Sequence, residues 1–221
     1  MILAAGRGER LRPLTDQLPK PLIRIGGRCL IEYQLQSLAS AGIQRVVINL
    51  AYLGDMIEAE VGDGQRYGLS IVYSREPEGA MGTGGGIRQA LPLINSDPFI
   101  VLNSDIWTDL SPRNLPDRLD GNAHLVLVDN PPHNLAGDFL LDKGRVLNHP
   151  AESTRRLTFS GIGLYRHSLF DDAPAGRFPL AATLKAAADR NLVTGEHFSG
   201  RWMDIGSPDR LDEARQWAGD R

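Results

Sequence analysis

Met1-Ile2-Leu3-Ala4-Ala5-Gly6-Arg7-Gly8-Glu9-Arg10 begins with five apolar residues and passes directly into a glycine-spaced, cationic segment. A short apolar run bounded by a turn reads as a buried strand. The glycines behind it let backbone approach a ligand at a distance where a Cβ would collide. Consecutive N–H groups in such a turn form a concave donor cluster suited to phosphate oxygens. The spacing excludes two familiar phosphate loops. The third glycine of a dinucleotide fingerprint would fall at Leu11, which argues against a nicotinamide dehydrogenase, and no Walker-type glycine–lysine loop is present.

Outward from that strand, apolar runs of two kinds alternate. Residues 46–49, 69–73, 99–103 and 125–129 are short and rich in branched side chains, as buried strands are. Residues 30–41, 53–61 and 86–91 have helical spacing; Leu30, Ile31, Leu35 and Leu38 share one face, and Gly42 supplies the stop. This alternation predicts an α/β fold, a Rossmann-like and mostly parallel central sheet flanked by helices. After residue ~130 the pattern changes. Pro131, Pro132, Gly137 and Gly144 punctuate short strands at 138–141 and 145–147, a small β-rich excursion. A strand at 159–165, helices at 180–190 and 211–217, and a short strand at 201–203 complete the reading. Without a low-complexity linker, the 221 residues are expected to form a single domain.

Composition narrows the function. The chain carries 24 basic and 27 acidic residues, a formal net charge of −3, so no polynucleotide partner is expected. No apolar run approaches the roughly 20 residues that span a bilayer. No charged segment followed by a cleavable apolar stretch opens the chain, so a cytoplasmic protein without a membrane partner is expected. The lone Cys29 excludes an internal disulfide and a cysteine-rich metal site. Glycine makes up about 11% of the chain against an average near 7%, with clusters at 6–8, 26–27 and 82–86.

Ligands in open α/β sheets bind beyond the carboxyl ends of the strands, so candidate residues are sought there. Arg10 closes the glycine segment, and Lys20 stands between Pro19 and Pro21, which constrain its backbone. Taken singly, each reads first as a solvated surface charge. Together with the glycines they suit a triphosphate, because displacing pyrophosphate builds charge that fixed cations stabilise. Asp105 lies just past the 99–103 strand and Asp204 just past 201–203. Two carboxylates from distant segments match the way Mg2+ is held, by one or two acids plus phosphate oxygens and waters.

The stretch Leu3 to Thr15, followed by Pro19-Lys20-Pro21-Leu22, resembles the N-terminal signature of the sugar-1-phosphate nucleotidylyltransferases. Asn103-Ser104-Asp105 resembles that family's metal element. Trp202-Met203-Asp204-Ile205-Gly206-Ser207-Pro208 resembles a second one, with Ser207 where threonine is usual. The resemblance runs from residue 1 to about 211, without the β-helix or acetyltransferase extension of some relatives. It implies a catalytic domain in which about 1–129 binds nucleotide and about 130–221 binds sugar and adds the second metal ligand. It implies that Ala5, Gly6, Arg7 and Gly8 wrap a nucleoside triphosphate, that Arg10 and Lys20 are catalytic, and that Asp105 and Asp204 bind Mg2+.

The same resemblance places base reading at Glu76, Gly82 and Thr83. A carboxylate at Glu76 accepts only, which favours uracil, thymine or guanine. For the sugar 1-phosphate the candidates are Asp138, whose carboxylate can accept from two hydroxyls, Gly161 and Glu196, with a rim charge as the alternative for Glu196 and for Glu152. One departure stands out: Asn148-His149-Pro150 replaces the family's Glu-Lys-Pro, and the phosphate-binding role of that lysine is left open among His149, Arg155 and Arg156. Length, the Val128 to His133 stretch, Gly137-Asp138-Phe139 and Phe159 to Tyr165 resemble a compact subgroup, the N-acetylmuramate-1-phosphate uridylyltransferases of cell-wall recycling. Mannose-1-phosphate guanylyltransferase and glucose-1-phosphate thymidylyltransferase are the alternatives within the family, and a non-catalytic nucleotide-sugar sensor is the alternative outside it. Oligomeric state stays open, with Trp217 expected to pack inward.

Overall fold

The computed structural model describes residues 1–77, 81–149 and 156–219. Strand β1 (Ile2–Leu3) leads through the glycine segment and a small hairpin, β2 (Arg24–Ile25) and β3 (Arg28–Cys29), into helix α1 (Leu30–Ser40). Then come β4 (Arg45–Leu50), α2 (Gly54–Val61), β5 (Ser70–Arg75) and α3 (Gly82–Ala90). Next are β6 (Phe99–Asn103), β7 (Ile106–Thr108), β8 (Ala123–Val128), β9 (Leu140–Asp142) and β10 (Arg145–Leu147). The chain ends with β11 (Thr158–Tyr165), α4 (Leu180–Asp189), β12 (Val193–His197), β13 (Trp202–Asp204) and α5 (Pro208–Gly219).

Nine strands form one sheet, ordered β5-β4-β1-β6-β11-β8-β12-β10-β9. β5, β4, β1 and β6 are parallel neighbours, and β12 runs parallel to β8. β11 and β10 are antiparallel to both their neighbours. The mostly parallel sheet expected from the alternation is therefore present, with β9 and β10 as the β-rich addition at its edge. Ile31, Leu35 and Leu38 of α1 pack with Ile57 and Val61 of α2 on one face. Ile87 and Ala90 of α3 pack with Leu184 and Ala188 of α4 on the other. Strand order reverses at β1, since β4 and β5 extend to one side and β6 to the other. The crevice at the carboxyl end of β1 is thus the switch point where such sheets bind ligands.

Local chemistry explains the elements that frame this crevice. Helix α1 starts where the Glu32 carboxylate accepts from the Cys29 N–H at 2.8 Å, satisfying a donor that the helix cannot. It stops at Ala41, before Gly42 at φ +86°. Helix α3 begins earlier than its apolar spacing suggests, because the glycine run 82–86 is its first turn and not a loop. Gly84, Gly85 and Gly86 are buried. A Cβ on Gly85 would stand 2.4 Å from the Gly176 carbonyl oxygen, and one on Gly86 would stand 2.3 Å from Glu76 Oε1. These glycines let a helix press against neighbouring backbone and side chain.

A second, two-stranded ribbon pairs β13 antiparallel with β7 and sets Asp204 opposite Ile106. Beneath it Trp107, Met203, Ile205 and Leu211 share a small core with Leu11, Ile23 and Leu30. Trp217 closes that core from α5, its ring 5.5 Å from Trp107, so it packs inward as expected. The ribbon and α5 are thereby fixed against the segment that follows β1.

Candidate active site

A cleft of ≈450 Å³ opens at the carboxyl end of β1, and its walls include Ala5, Gly6, Gly8, Arg10, Lys20, Glu76, Gly82, Thr83 and Asp105. The predicted nucleotide-side residues therefore meet, with the exception of Arg7, which lies over the Tyr52 ring at 5.1 Å. Gly8 adopts φ +69°, and a side chain there would press on Thr15 Cγ2 at 3.0 Å and Lys20 Cβ at 3.2 Å. The Thr15 hydroxyl donates to the Gly8 carbonyl at 2.9 Å and fixes the turn from outside. Lys20 opens a short 3-10 turn after the extended Pro19, which aims its ammonium into the cleft.

The two acids approach each other through backbone. Asp105 sits in the turn between β6 and β7, and its carbonyl accepts from the Ile205 N–H at 2.8 Å, next to Asp204. Lys20 Nζ pairs with Asp105 Oδ2, with the side chains only 12% and 24% exposed. Arg210 Nη1, from α5, donates to Asp204 Oδ1 at 2.5 Å, and His133 lies 3.2 Å from the same oxygen. Burial raises the Asp204 carboxyl above its ordinary range and the negative charge of Asp105 adds to this, while Arg210, His133 and Lys20 oppose it. Burial likewise lowers the His133 imidazole, against the pull of Asp204 and helped by Arg210 and Arg10.

A divalent cation fits this donor set. Two acids brought together by the Asp105–Ile205 backbone bond, one made harder to ionise by burial and by the charge of the other, would be relieved by a cation between them, and phosphate oxygens and water would complete it. Among the described residues no group of three or more His, Cys, Asp or Glu gathers to hold a metal on its own. Asp105 and Asp204 are the residues that would hold it.

Arg210 and Asn49 are site residues that sequence reasoning missed. Arg210 and Arg10 flank Gly206, a cleft residue. A Cβ there would stand 2.5 Å from Arg210 Nη2 and 2.7 Å from Arg10 Nη2. The signal for Arg210 was its place just behind the Asp204 element. Asn49 is buried at the end of β4, accepts from the Ala4 N–H at 2.8 Å and donates to Glu76 Oε1 at 2.6 Å. Glu76 Oε2 accepts from the Met81 N–H at 2.6 Å. Glu76 therefore ties the glycine segment to the start of α3 as well as facing the cleft. Thr83, also on the wall, accepts from the Leu180 N–H at 2.9 Å and so ties α3 to α4.

The sugar-side residues are placed differently, and none of them lies on the wall of this cleft. Asp138 Oδ2 accepts from the Phe159 N–H at 2.8 Å, and its carbonyl accepts from Arg156. Gly161, at φ +80°, occupies the irregularity in β11, where a Cβ would stand 2.5 Å from Asn103 Nδ2. Glu196 is paired in register with Val126, and partial burial raises its carboxyl. Of the substitutes for the missing lysine, His149 is 81% exposed and pairs with Asp189 of α4 at 3.4 Å. Arg156 binds the Asn148 and Asp138 carbonyls. Glu152 and Arg155 lie outside the described residues.

Comparison with known proteins agrees with this geometry. Residues 1–220 match the Nucleotidyl transferase family. The chain is 46% identical over 227 residues to an N-acetylmuramate alpha-1-phosphate uridylyltransferase of Neisseria meningitidis, covering 99% of this chain and 97% of the relative. A protein of the same name from Caulobacter vibrioides is 33% identical, with 94% and 91% covered. A Bacillus anthracis structure solved in complex with sucrose shares the fold, with a TM-score of 0.86 at 23% identity over 100% of this chain and 94% of that one. No described helix is long and apolar enough to cross a membrane. The chain is a member of the nucleotidyl transferase family.

Proposed function

We propose that this protein transfers the uridylyl group of UTP to N-acetylmuramate 1-phosphate with the help of magnesium and releases pyrophosphate. The observation that carries the reading is a single cleft in which the amides after β1, Arg10, Lys20 and Asp105 meet, with Asp204 beside Asp105. The two uridylyltransferase relatives support the choice of substrates. The choice of uracil rests on them more than on Glu76, whose oxygens already serve Asn49 and Met81.

The sugar phosphate is already ionised, so no side-chain nucleophile is needed. One of its oxygens forms a bond to the α-phosphorus of UTP as the bond from that phosphorus to the bridging β-phosphate oxygen breaks. The electron pair leaves with pyrophosphate. Residues 5–8 hold the triphosphate, Lys20 steadies phosphate at the reacting centre, and Arg10 stabilises the departing charge. Asp105 and Asp204 hold the magnesium, which neutralises phosphate charge when bound. Residues 1–129 form the nucleotide side, and the β-rich half forms the sugar side, with Asp138, Gly161 and Glu196 as its test positions. The reaction loads a cell-wall sugar onto a nucleotide carrier, which places it in cytoplasmic peptidoglycan recycling.

A matrix of UTP, GTP, dTTP, CTP and ATP against N-acetylmuramate, mannose and glucose 1-phosphates, read as pyrophosphate release, tests this. The expected optimum is UTP with N-acetylmuramate 1-phosphate. Nucleotide-sugar binding without magnesium-dependent turnover on any pair would contradict it.

A further inference from the structure

The cluster around Asp204 holds more positive charge than its acids need. Lys20 and Arg210 pair there with Asp105 and Asp204, and Arg10, beside Gly206, forms no ion pair among the described residues. Lys20 and Arg210 each rest on a different acid. A divalent cation taken up by the two acids would loosen both contacts and leave the Lys20 ammonium and the Arg210 guanidinium facing an anion. Arg10 and Lys20 belong to the segments that hold the triphosphate. Arg210 comes from α5 on the far side of Asp204, and its neighbour is His133, from the loop that leads into the β-rich half. Its side chain is only 14% exposed, and its Nη2 lies beside the cleft residue Gly206. A planar fork of donors in such a place matches the oxygens of a phosphate dianion. His149 and Arg156 are turned to Asp189 and to backbone carbonyls, so they do not supply this charge.

We propose that Arg210, supported by His133, binds the phosphate of the sugar 1-phosphate, a substrate-binding role that rests on the reaction assigned above. Arg210 pairs with Asp204 until the acids engage the metal, and then turns to the incoming phosphate.

Arg210→Gln and Arg210→Lys, each checked for an unchanged thermal midpoint, test this. With N-acetylmuramate 1-phosphate and UTP varied in turn, Arg210→Gln is expected to raise KM for the sugar phosphate about tenfold or more and to leave KM for UTP within about twofold. Arg210→Lys is expected to recover part of the loss. Calorimetric titration of inorganic phosphate with Mg2+ and a non-hydrolysable UTP analogue gives a second readout. The wild type is expected to bind phosphate and Arg210→Gln to bind it about tenfold more weakly or worse. Equal phosphate binding by the two proteins would overturn the proposal, as would a defect confined to UTP or to the magnesium requirement. A wild type that binds phosphate but transfers to none of the sugar phosphates would count against the reaction while leaving Arg210 as the phosphate site.

Discussion

The two sides of the proposed site, the cleft for nucleotide and the β-rich half for sugar, use their polar residues in different ways. On the nucleotide side, the glycine segment, Arg10, Lys20 and Asp105 face one cleft, and apolar packing beneath the β7–β13 ribbon holds them. On the sugar side, Asp138 and Gly161 are built into the frame: one carboxylate satisfies a strand N–H, and one glycine admits Asn103. Beyond β1 and β6 the side chains of Arg10, Lys20 and Asp105 serve no backbone group among the described residues and are left for ligand, whereas Asn49, Glu76 and Thr83 on the same wall each also accept from a backbone N–H. In the antiparallel β-rich half, irregular pairing leaves backbone donors that side chains must satisfy first.

The contrast can be broken or sharpened by substitution. The largest effect is expected on the nucleotide side. Asp105→Asn should keep the fold and lower turnover by about 100-fold or more, read as steady-state rate at saturating magnesium. At the seam between the halves, Gly85→Ala places a methyl on the Gly176 carbonyl, and urea unfolding should show a loss of about 1–3 kcal/mol. On the sugar side, Asp138→Ala leaves the Phe159 N–H without its acceptor and should cost about 1–3 kcal/mol, whereas Asp138→Asn, which keeps an oxygen, should cost less. If Asp138→Asn instead abolishes activity at unchanged stability, Asp138 serves the sugar directly and the contrast narrows.

The smallest effect concerns pH. His124 is buried on β8, its Nδ1 2.9 Å from the Thr194 hydroxyl, and burial lowers its pKa from the ordinary 6.5. The unfolded chain takes up a proton near that value and the folded chain takes it up only at lower pH. The neutral ring's contribution to stability is therefore complete above pH 6.5 and is lost as pH falls below it. The thermal midpoint should decline across that window in the wild type, and less steeply in His124→Gln.

Much of this was legible in sequence because the relevant signals are local. The five apolar residues before Gly6 gave the first strand, and the spacing of Leu30, Ile31, Leu35 and Leu38 gave the buried face of α1. Arg10 and Lys20 were readable because glycine and proline constrain the backbone around them. Helix α3 was misjudged in extent, since glycine spacing alone does not distinguish an exposed loop from a helix pressed against backbone. Strand β12 carries Thr194, Gly195 and Glu196 in a row and offers no apolar alternation to read. Asn49 acquires its role only through contacts 27 to 45 residues away, and Arg210 through its approach to His133, 77 residues away, as well as to the nearby Asp204. Such pairings follow from sheet order, which a single chain of letters does not display.

The central claim is that one cation joins Asp105 and Asp204 beneath a triphosphate held by residues 5–8 and Lys20. A crystal structure with Mg2+ and a non-hydrolysable UTP analogue tests it most directly. Metal density is expected to touch both carboxylates and an oxygen of the triphosphate, with the phosphates against the amides after β1. Metal and phosphates bound in separate places, or a triphosphate lying away from Lys20, would contradict it.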